Sequence, residues 1–369
     1  MYAGITKNAN KRTCPCKHAA SRDGVMRGAE VTMRQIWISR PGDPDVLELR
    51  EAEDPVPGPG QVRIRAVASG INFADLMGRM GTYPDAPGRT YVPGYEVAGP
   101  IDAVGEGVDE ARIGEVVAAM TRFGGYSDVV VVDTVQAVRV PDGMDPIVAA
   151  GIPVVGLTAW MLLEVFGRIR EGDRVLVHSA GGGVGLAALD LIKRRGAVAI
   201  GTASKGKHER LLERGYDQLI DYRTEDFEAV LKDAKVDRIL DPVGGESWAK
   251  GLRILRTGGL LGCFGFSNAA TGTSRNVVSL VGGMMQVPWL KSNPVSFMND
   301  NVGMYGVNMG HLWDESERVA GWLGELFDLW EQGALRPHVD QTFPFAEAAA
   351  AHQYIHDRKN FGKVVLTTD

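Results

Sequence analysis

The chain has 369 residues, 44% of them hydrophobic and 23% charged, with a formal net charge of −6. This length allows two domains or one large one, and the composition is that of a globular protein whose core needs no staples. The acidic balance and the lack of a basic stripe exclude a broad nucleic-acid surface, and three cysteines, Cys14, Cys16 and Cys263, are too few for a disulfide framework.

Residues 1–32 set Lys7, Lys11, Arg12, Lys17, Arg22 and Arg27 against Asp23 and Glu30, with no apolar run of the kind a secretory signal needs. They are expected to be a disordered extension. Cys14-Pro15-Cys16 offers two soft ligands where structural zinc takes four. Residues 33–150 read as a domain of strands and turns. In QVRIRAVASG, Val62, Ile64, Ala66 and Ala68 fall on one face, and Arg63 and Arg65 on the other. EVVAAM and SDVVVVDTVQAVRVP read as further strands, and DPVPGPGQ as a turn. Pro146 to Leu163 is uncharged, but its prolines and glycines predict two short buried helices broken near Pro153. A membrane span would need about 20 apolar residues.

From residue 151 to 297 the rhythm changes. DRVLVHSA, AVAIGTAS, DQLIDY, VDRILDPVGG and GGLLGCFGFS read as strands; GLAALDLIKRRG, KHERLLERG and SWAKGLRILRTG read as helices. Such alternation predicts a parallel sheet covered on both faces. Cys263 and His178, on its strands, are expected to be core. Asn276–Met298 is apolar and Met-rich, with internal packing as its default and a lid, a dimer contact or a lipid-facing patch as alternatives. The return to the first domain is placed at residues 298–369, with amphipathic helices at 320–333 and in AAAAHQYIHDR and a closing strand in GKVVLTTD. His352 and His356 share a helix face, but Gln353 stands where H-E-x-x-H has glutamate, so they are expected to be surface histidines.

The run AGGGVG follows a strand and opens a helix, which is the context of a dinucleotide fingerprint. Against G-x-G-x-x-G, Ala180 takes the first place, Gly182 the second and Gly185 the third. Gly182 lets backbone approach a pyrophosphate, Gly185 lets the helix pack on its strand, and the helix amides face the phosphate charge. An NAD enzyme has Asp or Glu about 20 residues on. Here Ser204, Lys205 and Lys207 stand at that place, and they favour a 2′-phosphate, hence NADPH. The bland alternative is a solvated helix start.

GINFADLMGRMGTYP, YVPGYEVAGPIDAVGEGV, GLTAW, VHSAGGGVGLAALDL, GTASKGKHE, DPVGG and FGKVVL occur in this order. By them the chain resembles the medium-chain dehydrogenases/reductases in their zinc-independent quinone oxidoreductase (zeta-crystallin) branch, and most of all the vesicle amine transport protein homologues, over residues 33–369. The resemblance implies an α/β fold: a GroES-like β-rich catalytic domain plus a Rossmann doubly wound parallel sheet. Zinc-dependent relatives place a cysteine two residues after the glycine matching Gly70, and a histidine in Gly-His-Glu. This chain has Asn72 and Tyr95 there, and neither is a zinc ligand, so a metal-free site is expected.

The resemblance further implies a cofactor between the domains. Thr158 would reach the nicotinamide end, Gly182, Gly183 and Val184 the pyrophosphate, Ser204 and Lys207 the 2′-phosphate, and Tyr222 the adenosine. Phe264, Gly265, Phe266 and Asn268 would line the nicotinamide side. Asn72 would point its amide at the acceptor, with Tyr83 as the phenol donor; otherwise Asn72 ties two loops together and Tyr83 is pocket wall. Met77 stands where branch members often carry tyrosine. The expected activity is metal-free, NADPH-dependent hydride transfer to a quinone or α,β-unsaturated carbonyl, in a cytoplasmic homodimer. An enoyl-thioester reductase, or a lipid- or vesicle-associated protein that retains the cofactor fold, is the alternative.

Overall fold

A computed structural model describes residues 32–267 and 294–368. The expected extension, Asn268 and most of 276–298 lie outside the described residues, although Thr32 already opens the first strand. That strand, Thr32–Ile38, pairs antiparallel with Leu47–Glu53.

The β-rich part is an eight-stranded sheet. Along its path stand Val339–Pro344, Lys363–Thr367, Ala68–Gly70, Glu96–Val104, Gln61–Arg65 and Val129–Asp133. Val116–Met120 branches from Glu96–Val104 and carries Val138–Arg139. The alternation in QVRIRAVA decides which face turns inward. Val62, Ile64, Ala66 and Ala68 are buried, while Arg63 and Arg65 both reach Asp102 on the neighbouring strand, at 2.7 and 2.8 Å.

The second sheet has six parallel strands in the order Gln218–Asp221, Val198–Ala203, Arg174–Val177, Val236–Asp241, Leu255–Cys263 and Gly303–Gly306. Numbered along the chain this is 3-2-1-4-5-6, the doubly wound order whose switch point lies beside the first strand. Val175, Leu176 and Val177 on that strand are fully buried, as a strand covered on both faces requires. The helices Gly183–Arg194, His208–Arg214 and Glu246–Ile254 link its strands. Proline opens two short helices, Pro146–Ala149 and Pro153–Trp160, and the second runs on into a π-helical turn, Met161–Phe166.

Three expectations are corrected. The crossing back to the β-rich part was expected at residue 298, but Gly303–Gly306 is still in the parallel sheet, pairing Leu260 with Gly303 and Cys263 with Gly306. A four-residue strand with glycine at both ends shows no alternation to read. The helix in SWAKGLRILRTG stops at Ile254, because Leu255 already pairs with Val236. His352 is not a surface residue: it is 0% exposed. With Ala348 and Ala351 it forms the inner face of the helix Ala348–His356, and the Tyr126 hydroxyl lies 3.1 Å from its Nε2.

Candidate active site

The glycine turn leaves the first parallel strand at Val177. Ser179 takes a positive φ of 58°, a backbone region that costs a non-glycine residue of order 1–3 kcal/mol and is found at ligand clamps. Its carbonyl accepts from the Gly182 N–H at 2.9 Å, which tightens the turn. A Cβ on Gly185 would lie 2.4 Å from the Ala180 carbonyl oxygen, so only glycine lets the helix Gly183–Arg194 sit this close to its strand. A Cβ on Gly182 would meet only the Ser179 oxygen, at 3.3 Å. The open side of Gly182 and the bare amides at the helix start form a cradle of the kind that takes a phosphate group. Val184 lies in the first helical turn. Ala180, the departure from the fingerprint, is fully buried.

The end of the second strand forms a basic corner. Ser204 caps a short turn over Lys205–Lys207. Lys207 is half-buried, and its ammonium donates to the Asn360 carbonyl. Burial, with help from Arg210 and Arg358, lowers its pKa, although Tyr222 and Asp340 pull the other way. Tyr222 follows the third strand and its hydroxyl accepts from Arg358 at 3.4 Å. Burial pushes that phenol up, but Arg358 and Arg223 together outweigh it and leave its pKa below the ordinary tyrosine value. Ser204, Lys207, Tyr222 and Arg358 offer hydroxyl and cationic donors with no carboxylate among them, a set that suits a phosphate monoester. Arg358 escaped the sequence reading because it is 136 residues from Tyr222.

The two parts of the protein meet on the other side of the turn. Gly362 donates its N–H to the Gly181 carbonyl at 2.9 Å, and Arg210 lies 3.9 Å from the centroid of the Phe361 ring. The next residue, Lys363, is buried. Its ammonium donates to the Ile71 carbonyl and to Asn72 Oδ1, each at 2.7 Å, and pairs with Glu96 Oε1. Glu96 also accepts from Asn72 Nδ2 at 2.8 Å and, through Oε2, from the Val154 N–H at 2.7 Å. Asn72 therefore binds two loops together, and its amide is engaged within the protein. A charged residue inside an apolar strand, as in GYEVAG and GKVVL, is the signal that could have pointed to Glu96 and Lys363. Thr158, on the helix that begins at Pro153, donates to the Val154 carbonyl at 2.7 Å.

An aromatic group lies beside this knot. The rings of Tyr83 and Tyr95 are 6.2 Å apart, edge to face, and Tyr95 is 5.1 Å from Phe123. Burial pushes the Tyr83 and Tyr95 phenols above the ordinary tyrosine pKa. Asp75 is buried beneath them and accepts from the backbone N–H groups of Asn72 and Gly94 at 2.8 and 2.9 Å. Burial raises its pKa to about 7. The loop that carries Tyr83 is tied across to the segment after the sixth parallel strand by Asp85 and His311, 2.9 Å apart.

The nicotinamide-side candidates follow the fifth strand. Phe266 turns onto Trp248, with ring centroids 5.7 Å apart, and crowds Gly244, where a Cβ would lie 2.0 Å from its ring. Phe264 packs on the main core, and Gly265 abuts Pro242. Cys263 is partly buried, and burial pushes its thiol up to about 12. The His178 imidazole is buried, 3.0 Å from the Thr202 hydroxyl. Among the described residues, no three His, Cys, Asp or Glu side chains converge on a metal-sized site, and no helix is long and apolar enough to cross a membrane.

Comparison with known proteins gives two family matches. The alcohol dehydrogenase GroES-like domain matches residues 58–142, and a zinc-binding dehydrogenase domain matches residues 214–366. The human synaptic vesicle membrane protein VAT-1 homolog is 39% identical over 326 residues, covering 87% of this chain and 82% of that protein. A Pseudomonas aeruginosa quinone oxidoreductase is 34% identical, covering 90% of this chain and 99% of that one. The crystal structure of Escherichia coli quinone oxidoreductase complexed with NADPH superposes with a TM-score of 0.79 at 29% identity, covering 91% of this chain and all of that one.

Proposed function

Because the chain belongs to the medium-chain dehydrogenase/reductase superfamily, in its quinone oxidoreductase branch, we propose that it is an NADPH-dependent oxidoreductase acting on quinones or α,β-unsaturated carbonyls. The observation that carries the reading is the group of hydroxyl and cationic donors, Ser204, Lys207, Tyr222 and Arg358, beside the glycine turn. NADPH, when bound, supplies a hydride. The protein's part is to hold that cofactor and orient an acceptor against it. The amides at the helix start, from Gly183 onward, take the pyrophosphate, and the basic corner takes the 2′-phosphate.

The acceptor side is read as metal-free. Asn72 and Tyr95 occupy the places where zinc-dependent relatives carry a cysteine and a histidine, and an amide and a neutral phenol are poor zinc ligands. Quinones and enones suit such a site because the anion formed on reduction is delocalised. The test is to titrate NADPH and NADH separately by nicotinamide fluorescence, then add 9,10-phenanthrenequinone or a simple enone and follow nicotinamide absorbance with and without a chelator. NADPH-preferring binding with chelator-resistant turnover supports the reading, and the faster acceptor gives the class. Binding without turnover favours the lipid- or vesicle-associated alternative. Light scattering of the same sample tests the expected homodimer.

A further inference from the structure

The donors beside the acceptor side are not equivalent. The Asn72 amide is engaged by Glu96 at 2.8 Å, and its oxygen by Lys363 at 2.7 Å. Turning it toward an acceptor would break a buried network. Tyr95 is the opposite case. Its residue is 6% exposed, and its hydroxyl is buried with no well-formed hydrogen bond among the described residues, the Tyr83 hydroxyl being the polar group that bears on it. Buried hydroxyls in native proteins are almost always partnered, and an orphan asks for an explanation.

The backbone around Tyr95 is fixed on every side. Gly94 has a φ of 102°, and a Cβ there would lie 2.6 Å from the backbone nitrogen of Tyr126. The Tyr95 carbonyl accepts from the Thr121 N–H at 2.8 Å. Glu96, the next residue, is held by Asn72, Lys363 and Val154. The phenol is therefore carried on a rigid mount beside the junction of the two domains, flanked by the rings of Tyr83 and Phe123. Rigid mounting of a donor that makes no well-formed hydrogen bond within the described residues is what electrostatic preorganisation requires.

We propose that Tyr95 is a catalytic residue that donates a hydrogen bond to the oxygen of the acceptor as negative charge develops on it, while Asn72 acts only as a positioning residue. The inference rests on the reductase reading above. Two electrons and a proton pass to the acceptor as hydride, NADPH becoming NADP+. The acceptor oxygen gains the charge, Tyr95 keeps its own proton, and a solvent proton completes the product. Burial holds the Tyr95 phenol un-ionised through the neutral range, which suits a donor that does not give its proton away.

The test compares wild type with Tyr95→Phe in the full chain, using 9,10-phenanthrenequinone and a simple enone. The expected result is a loss in kcat of about 100-fold, as for removal of one oxyanion donor. KM and NADPH affinity should stay within about twofold, and the unfolding temperature should be equal or higher, since an orphan hydroxyl is removed. A second measurement does not need turnover. The infrared carbonyl stretch of 9,10-phenanthrenequinone bound with NADP+ should be shifted to lower frequency in wild type and return toward its free value in Tyr95→Phe. Turnover by Tyr95→Phe within about threefold of wild type, or an unchanged carbonyl stretch, overturns the inference and leaves the reductase reading intact. A fall in unfolding temperature with loss of NADPH binding makes Tyr95 a structural residue and also overturns it. Wild-type protein that reduces neither acceptor overturns both.

Discussion

The ammonium of Lys363 lies 2.6 Å from Oε1 of Glu96, with both side chains almost wholly removed from solvent. Two charges buried together repay their desolvation only while each keeps the other. Lys363→Met should leave an uncompensated carboxylate and cost about 3–5 kcal/mol in urea unfolding. Adding Glu96→Gln should recover part of that loss, because glutamine can still accept from the Val154 N–H. Strictly additive costs in this double-mutant cycle would show that the pair is not coupled.

The basic corner should read the 2′-phosphate and little else. Arg358→Ala removes the guanidinium that reaches Tyr222. A hydrogen bond to a charged group is worth about 1.5–3 kcal/mol, so NADPH affinity should fall roughly 10- to 100-fold. NADH affinity should hardly move. Fluorescence titration of both nucleotides decides it, and an equal loss for both would remove Arg358 from the corner.

Two glycines in the same turn should fail in different ways. Gly185→Ala drives a methyl group to 2.4 Å from a backbone oxygen, so the helix must shift and both stability and cofactor binding should drop. Gly182→Ala meets nothing nearer than 3.3 Å within the protein. It should melt near the wild-type temperature yet bind NADPH poorly, because its methyl group occupies the space a pyrophosphate needs. Calorimetry beside a titration separates the two outcomes.

Two buried groups should pull stability in opposite directions as pH changes. Burial, with Arg79 and His356 nearby, holds the His352 imidazole well below its ordinary pKa of 6.5. The folded state therefore prefers it neutral, and its contribution is fully present above 6.5 and lost as pH falls. Asp75 works the other way. Its folded pKa is raised from 3.8 to about 7, so its contribution is full below 3.8 and fades as pH rises through about 7. Between pH 8 and 5 the two oppose each other, so urea midpoints of the wild type should change little, whereas His352→Gln, which leaves Asp75 alone, should make them rise toward the acid side. An unchanged slope in His352→Gln would acquit this histidine.

What the sequence made legible was periodic and local. Alternation in QVRIRAVA revealed which face of the strand is buried, and the strand–helix rhythm after residue 151 announced the parallel sheet. The glycine turn was readable because its three jobs impose residue types at fixed spacing. The sixth strand was hidden because four residues bounded by glycine carry no period. The Asn72–Glu96–Lys363 knot was hidden because its members are distant in sequence and Lys363 reaches Asn72 only through the closing strand. Arg358 was hidden for the same reason. Of the two readings open for Asn72, the tie between loops is the one its hydrogen bonds match, because a buried amide finds partners before any substrate arrives.

The pairing of Lys363–Thr367 with Ala68–Gly70 also sets an order of events during synthesis. Lys363 meets Ile71 across 292 residues of chain, so the β-rich sheet cannot close while the ribosome is still making the parallel one. The inserted sheet draws its strands from a continuous stretch and can fold first. The outer sheet must wait with an unpaired edge, a slow, long-range closure of the kind that exposes a chain to aggregation. A copy that stopped before residue 363 would lack the strand that carries Lys363, leaving Glu96 buried without its cation. Pairing of Lys363–Thr367 with Ala68–Gly70 is thus the step that joins the two ends of the β-rich sheet.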